Sequence, residues 1–180
     1  MAAKATISLD EFLKLPPETT HGVHYELDEG GLIRLPPAGK THAAIVLRAG
    51  SYLDQILPAD RFTVLVGEAG IILDSSSSTP TVRGADIAVV ENETVDDTYA
   101  RKPFVVAVEV VSQNHDAEDL ERKTHQYLAA GVKEVWLIYP STGSIYVHQT
   151  GGLSTRYARG ARFESPALAV TVDSERFFSR

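Results

Sequence analysis

Residues 104–112, Phe-Val-Val-Ala-Val-Glu-Val-Val-Ser, constrain the fold of this chain more than any other stretch. Seven of the nine are apolar and most are β-branched, which describes a strand buried on both faces inside a helix-covered sheet. One acid interrupts the run. Taking a carboxylate out of water there costs several kcal/mol unless it is paired, protonated or metal-bound, so Glu109 demands a partner.

Around this strand the pattern is that of an α/β domain. Residues 116–130 read as a helix, with Asn114 or His115 near its start, Asp116, Glu118 and Asp119 at its positive dipole end, and Gly131 as its stop. A strand over 132–139 follows, containing Trp136 and ending at Pro140. Strand, helix and strand over 103–139 leave enough chain for a parallel crossover.

Upstream, Ser8 and Glu11 cap a short helix over 6–15, and 24–27 with 32–35 read as a hairpin around Gly30-Gly31. Apolar residues at helical spacing mark a long helix over 41–57, stopped by Pro58. Segments 61–66 and 68–73 are either two strands around Gly67 or one strand with a bulge there. Residues 84–90 form a strand with Asp86 at its beginning, 145–148 and 153–158 make a late hairpin, and 167–178 closes the chain.

The alternation of strands and helices indicates a mixed α/β sheet flanked by helices, and 180 residues suit a single domain. There is no cysteine, so thiolate metal sites and disulfides are excluded. No run approaches the roughly 18 apolar residues of a membrane span, and the first residues carry no apolar signal core, so a cytoplasmic location is expected. A net charge of −7 argues against a protein that grips nucleic acid through a broad basic surface, though not against a local basic groove.

The chemistry concentrates on three side chains. Asp86 and Glu109 each sit on an apolar strand; if those strands are neighbours, the two carboxylates converge on a hard cation such as Mg²⁺. Lys123 lies three residues from Leu120 and four from Tyr127, on the inward side of the helix, from where an ammonium can reach a carboxylate–metal site. The competing readings are solvated acids at strand ends, a buried ion pair, and an Asp119–Lys123 pair on the surface. Glu26 is a further acid flanked by strand formers, and His42 opens the long helix, where it serves the dipole or lines a cleft.

Taken together, 105–112, Asp119, Lys123, Tyr127 and 131–140 resemble the Uma2 family, also called DUF820, of the PD-(D/E)xK restriction-endonuclease-like superfamily. Residues 25–32, Pro36-Pro37 followed by His42, and 85–90 extend the resemblance across most of the chain. It implies a restriction-endonuclease-like fold and a Mg²⁺-dependent endonuclease, with Mn²⁺ as an alternative ion. On this resemblance Asp86 and Glu109, helped by the Val110 carbonyl, bind the metal, Glu26 adds an acid from the opposite wall, and Lys123 stands for the nuclease lysine. The superfamily places that lysine two residues after the strand acid, where this chain has Val111. The implied partners are nucleic acid, DNA before RNA, and a second copy in a homodimer, with hairpin 145–158 as a pairing surface. A nuclease-fold protein that binds without cutting, and an α/β interaction domain with ion-paired acids, are the alternatives.

Overall fold

The computed structural model describes residues 6–16, 23–76, 78–92, 99–112 and 116–179; Asn114 and His115 lie outside them. The elements run α1 (Leu9–Phe12), β1 (His24–Asp28), β2 (Gly31–Leu35), α2 (Lys40–Ile56), β3 (Phe62–Asp74), β4 (Thr81–Glu91) and β5 (Val106–Val110). They continue with α3 (Ala117–Ala129), β6 (Glu134–Tyr139), β7 (Ser144–Gln149), β8 (Ser154–Ala158), β9 (Arg162–Ser165), β10 (Val170–Asp173) and α4 (Glu175–Phe178).

Local chemistry sets most of these boundaries. Ser8 and Glu11 form the reciprocal capping box of α1. The β1–β2 turn holds Glu29 and Gly30 at φ 50° and 82°, the left-handed pair that a two-residue hairpin loop requires. Asp116 is the N-cap of α3, accepting from the Glu118 and Asp119 amides, so it ends the loop rather than opening the helix.

An eight-stranded sheet forms the centre, in the order β2-β1-β4-β5-β6-β7-β8, with β3 pairing β4 along its length; β9 and β10 form a separate two-stranded sheet. β5 and β6 are parallel, joined through α3 as expected, and the other pairs are antiparallel. One face packs under α2 and α4 through Ile45, Leu53, Val106, Val108, Val110, Trp136 and Phe177. The other packs under α3 through Ala88, Ala107, Leu120, Tyr127 and Leu137. β5 is buried throughout and alternates between these layers, as its apolar run requires.

One expectation changes and one alternative is decided. β4 begins at Thr81 because β3 pairs with it down to Asp74↔Thr81, so Asp86 sits mid-strand rather than at a strand beginning. β3 is one strand with a bulge, not two strands around Gly67. Among the described residues no helix is long and apolar enough to cross a membrane.

One irregularity positions everything that follows. With β3 covering one edge of β4, its other edge is shared: β1 meets it at Leu27↔Val82, and β5 meets it at 87–89. Between Val82 and Ile87 the sheet forks.

Candidate active site

The fork exposes the backbone of Gly84, and side chains replace the missing strand. Gly84 N–H donates to Glu26 Oε1 at 2.8 Å, and Lys123 Nζ donates to Gly84 O at 2.8 Å. Glu26 is carried in by β1 and Lys123 is lowered from α3 by the packing of Leu120 and Tyr127 beside it. The ammonium lies 3.0 Å from Glu26 Oε1, 2.9 Å from Glu109 Oε1 and 3.0 Å from Glu109 Oε2, so one lysine spans both carboxylates. Tyr127 OH adds a donor to Glu109 Oε1 at 3.1 Å.

Asp86 occupies the crotch of the fork. The β4–β5 register Ile87↔Val108, extended by one residue, sets Asp86 level with Glu109. Its Oδ2 accepts from Val110 N–H at 2.6 Å, in place of a strand carbonyl, and lies 3.0 Å from His42 Nε2 at the start of α2. His42 therefore lines the cleft. Gly39, not His42, is the N-cap of that helix.

A second tier holds Glu26 in place. Arg83 Nη1 donates to Glu26 Oε2 at 3.0 Å, and Arg83 Nε donates to Gln126 Oε1 at 2.8 Å. Asp28 receives Gln126 Nε2 at 2.9 Å and Arg122 Nε at 3.1 Å, with Arg83 Nη2 at 2.7 Å as an ion pair. Asp119 pairs with Arg122, which removes the surface Asp119–Lys123 pair; the Lys123 side chain is only 14% exposed. Val111, at the position where the superfamily carries its lysine, packs against the apolar layer under α3.

Sequence reasoning missed Glu68. The β3–β4 register passes from Val66↔Ile87 to Ala69↔Ala85, so Gly67 and Glu68 together oppose Asp86. Both take left-handed backbone, φ 88° and 64°. A bulge of this kind bends the strand and re-aims a side chain, and it lays Glu68 over Gly84. An acid beside a mid-strand glycine was the available signal. A Cβ on Gly84 would sit 3.1 Å from Glu68 Oε2 and 3.3 Å from Glu68 O. Gly84→Ala is therefore expected to cost about 1–3 kcal/mol, read by chemical denaturation, and to displace Glu68.

The electrostatics follow from too many acids for one lysine. Burial drives the Glu109 carboxyl up to about 8; Lys123 opposes this, while the charges of Asp86, Glu26 and Glu68 add to it. Burial and then the Asp86 charge raise Glu68 to about 7. Burial also acts on Glu26, but Lys123, Arg83 and the Gly84 amide outweigh it and hold Glu26 below the usual carboxylate range. The bond to Asp86 raises His42. Lys123 stays protonated because Glu109 and Glu26 overcome its own desolvation.

These donors suit a hard divalent cation, being carboxylate oxygens, and the crowding of buried acids raises two of the carboxyls well above the ordinary carboxylate range. Among the described residues no three His, Cys, Asp or Glu side chains close on a single ready-made metal position. Mg²⁺ retains several waters and does not need a closed protein cage.

Compared with known families, the chain matches the Uma2 profile, described as "Putative restriction endonuclease", over residues 9–173. Its fold is similar to a crystal structure of a "putative nuclease belonging to DUF820" from Anabaena variabilis ATCC 29413. That similarity has a TM-score of 0.81 and 21% sequence identity, and covers 96% of this chain and 97% of the other. No curated protein matches significantly. The structural likeness establishes a common fold, and the profile, which spans both the forked sheet and the helix carrying Lys123, establishes descent: the chain belongs to the Uma2 family.

Proposed function

We propose that this protein is a Mg²⁺-dependent endonuclease that hydrolyses phosphodiester bonds of nucleic acid, with DNA as the first substrate to test. The observation that carries the reading is the Lys123 ammonium held 2.9 Å from a buried Glu109, in a sheet fork that also holds Asp86. Asp86, Glu109 and the Val110 carbonyl are the residues that would hold the ion, and Mn²⁺ fits the same oxygens. A bound ion supplies Lewis-acid stabilisation of phosphoryl charge and lowers the pKa of its water.

The side chains do the rest. Lys123 keeps its proton, and with its N–H donors engaged by the Gly84 carbonyl, Glu26 and Glu109 it acts as a fixed positive charge that counters charge developing in the transition state. Glu26, saturated by Arg83 and the Gly84 amide, positions that ammonium rather than binding metal. Tyr127 OH orients Glu109, and His42 with the Val110 amide fixes the Asp86 carboxylate through Oδ2.

Incubating supercoiled plasmid and single-stranded RNA with the protein and Mg²⁺ or Mn²⁺ tests this reading. Cleavage by the parent, abolished by EDTA and lowered about 10²–10³-fold in Lys123→Met, is the expected result. A folded parent that cuts neither polymer with either ion overturns it. Salt-dependent binding without cutting would instead mark a nuclease fold retained for binding.

A further inference from the structure

The bulge in β3 brings a third acid to the fork, and its geometry differs from that of every other carboxylate there. Both oxygens of Glu26 are engaged: Oε1 by Gly84 N–H and Lys123, and Oε2 by Arg83. Asp86 Oδ2 is shared by the Val110 amide and His42. Among the described residues no donor engages the Glu68 carboxylate.

Glu68 nevertheless stands where the backbone resists putting it. A glutamate at φ 64° pays roughly 1–3 kcal/mol for left-handed backbone. The two-for-one bulge that imposes this φ falls opposite Asp86, and Gly84, two residues before Asp86 on β4, has no Cβ, which leaves room for Glu68 Oε2. An exposed acid would need neither the strain nor the cleared space, and the half-buried carboxylate gains no protein hydrogen bond in return.

We propose that Glu68 is a direct ligand of the divalent cation, taking the role of third acid that the family resemblance gives to Glu26. The inference rests on the metal-dependent reading above. Glu26 is then the keeper of Lys123, and Glu68 on β3, Asp86 on β4 and Glu109 on β5, three adjacent strands, are the residues that would hold the ion, drawing together as it binds.

Calorimetric titration of Mn²⁺ alone into the metal-free protein tests it, with melting curves in EDTA and in Mn²⁺ to follow the fold. Glu68→Gln is expected to weaken Mn²⁺ at least about tenfold, to melt no lower than the parent in EDTA, and to lose most of the Mn²⁺-induced rise in Tm. Glu68→Asp keeps a carboxylate on a residue that accepts left-handed backbone and should retain intermediate affinity. Parental Mn²⁺ affinity in Glu68→Gln overturns the proposal; if Glu109→Gln alone loses the ion, the metal-dependent reading survives. A Glu68→Gln that melts lower in EDTA yet keeps its full Mn²⁺ response assigns Glu68 to the architecture of the bulge and also overturns it. A parent that takes up no Mn²⁺ removes both.

Discussion

Glu109→Gln is expected to abolish metal-dependent cleavage while leaving the fold intact at neutral pH. Burial pushes the wild-type carboxyl up to about 8, so its charged form is disfavoured without a cation, and glutamine keeps the same shape. The amide oxygen still accepts from Lys123, and Tyr127 OH turns to accept from the amide nitrogen. What is lost is an anionic oxygen donor for the ion, which is worth several kcal/mol, so a rate loss on the order of 10³-fold or more is expected.

The same variant has a pH signature. A carboxyl raised from 4.5 to about 8 by folding binds its proton more tightly in the native state. Its contribution to stability is fully present below the unfolded pKa and is lost as pH rises through the folded value. Glu68 and His42, also raised, act in the same direction. In EDTA the parent Tm should fall from pH 5 to pH 9, and Glu109→Gln should fall less. Mg²⁺ should restore the parent more at pH 8 than at pH 6, because its binding displaces protons from the acids. Superimposable Tm profiles for parent and variant would remove Glu109 as the titrating group.

Glu134→Ala is expected to be the most damaging substitution away from the fork. Glu134 is 1% exposed at the start of β6 and is surrounded by neutral donors: Trp136 Nε1 at 2.8 Å, Ser165 Oγ at 2.8 Å, Gln149 Nε2 at 3.1 Å and the Ala167 amide at 3.2 Å. These donors come from β6, β7, β9 and the turn after β9, so one carboxylate fastens the small sheet to the large one. Alanine leaves buried N–H and O–H groups unpaired, at roughly 3–5 kcal/mol in total, which for a domain this size lowers Tm by about 10 °C. Glu134→Gln should cost less, since it keeps one acceptor oxygen and sets an amide against the remaining donors. The register pairs Glu109 with Leu137 and Val106 with Glu134, about 10 Å apart along β6. Any activity should therefore persist in the folded fraction, and guanidinium titration with residual cleavage at 15 °C separates the two effects.

The parts of this site legible in the sequence are those governed by short-range pattern. A lone acid in an apolar run marks Glu109, and the spacing from Leu120 to Lys123 to Tyr127 puts the lysine on the buried side of α3; both side chains lie where those patterns point. The hairpin, the α1 capping box and the crossover were likewise local. The fork was not legible, because it depends on where β1 and β5 stop along β4, which is a matter of long-range register. The partners of Glu26 escaped for the same reason: Arg83 is 57 residues away in sequence. Glu68 was hidden because strict strand alternation misassigns a side chain wherever a bulge resets the count.

Moving the lysine off β5 also changes what holds the site in working order. On a strand, alternation alone would lock the ammonium to its acid, but a second charge would then thread the core beside Glu109. With Val111 given to the apolar layer, the ammonium instead depends on how a helix is seated, and Leu120 and Tyr127 set that seating. Loosening α3 by a fraction of a turn withdraws Lys123 from Glu26, Glu109 and the Gly84 carbonyl at once. On the proposed nuclease reading, reactivity would be tied to the docking of one amphipathic helix, and a lesion remote from the acids would silence them by tilting it.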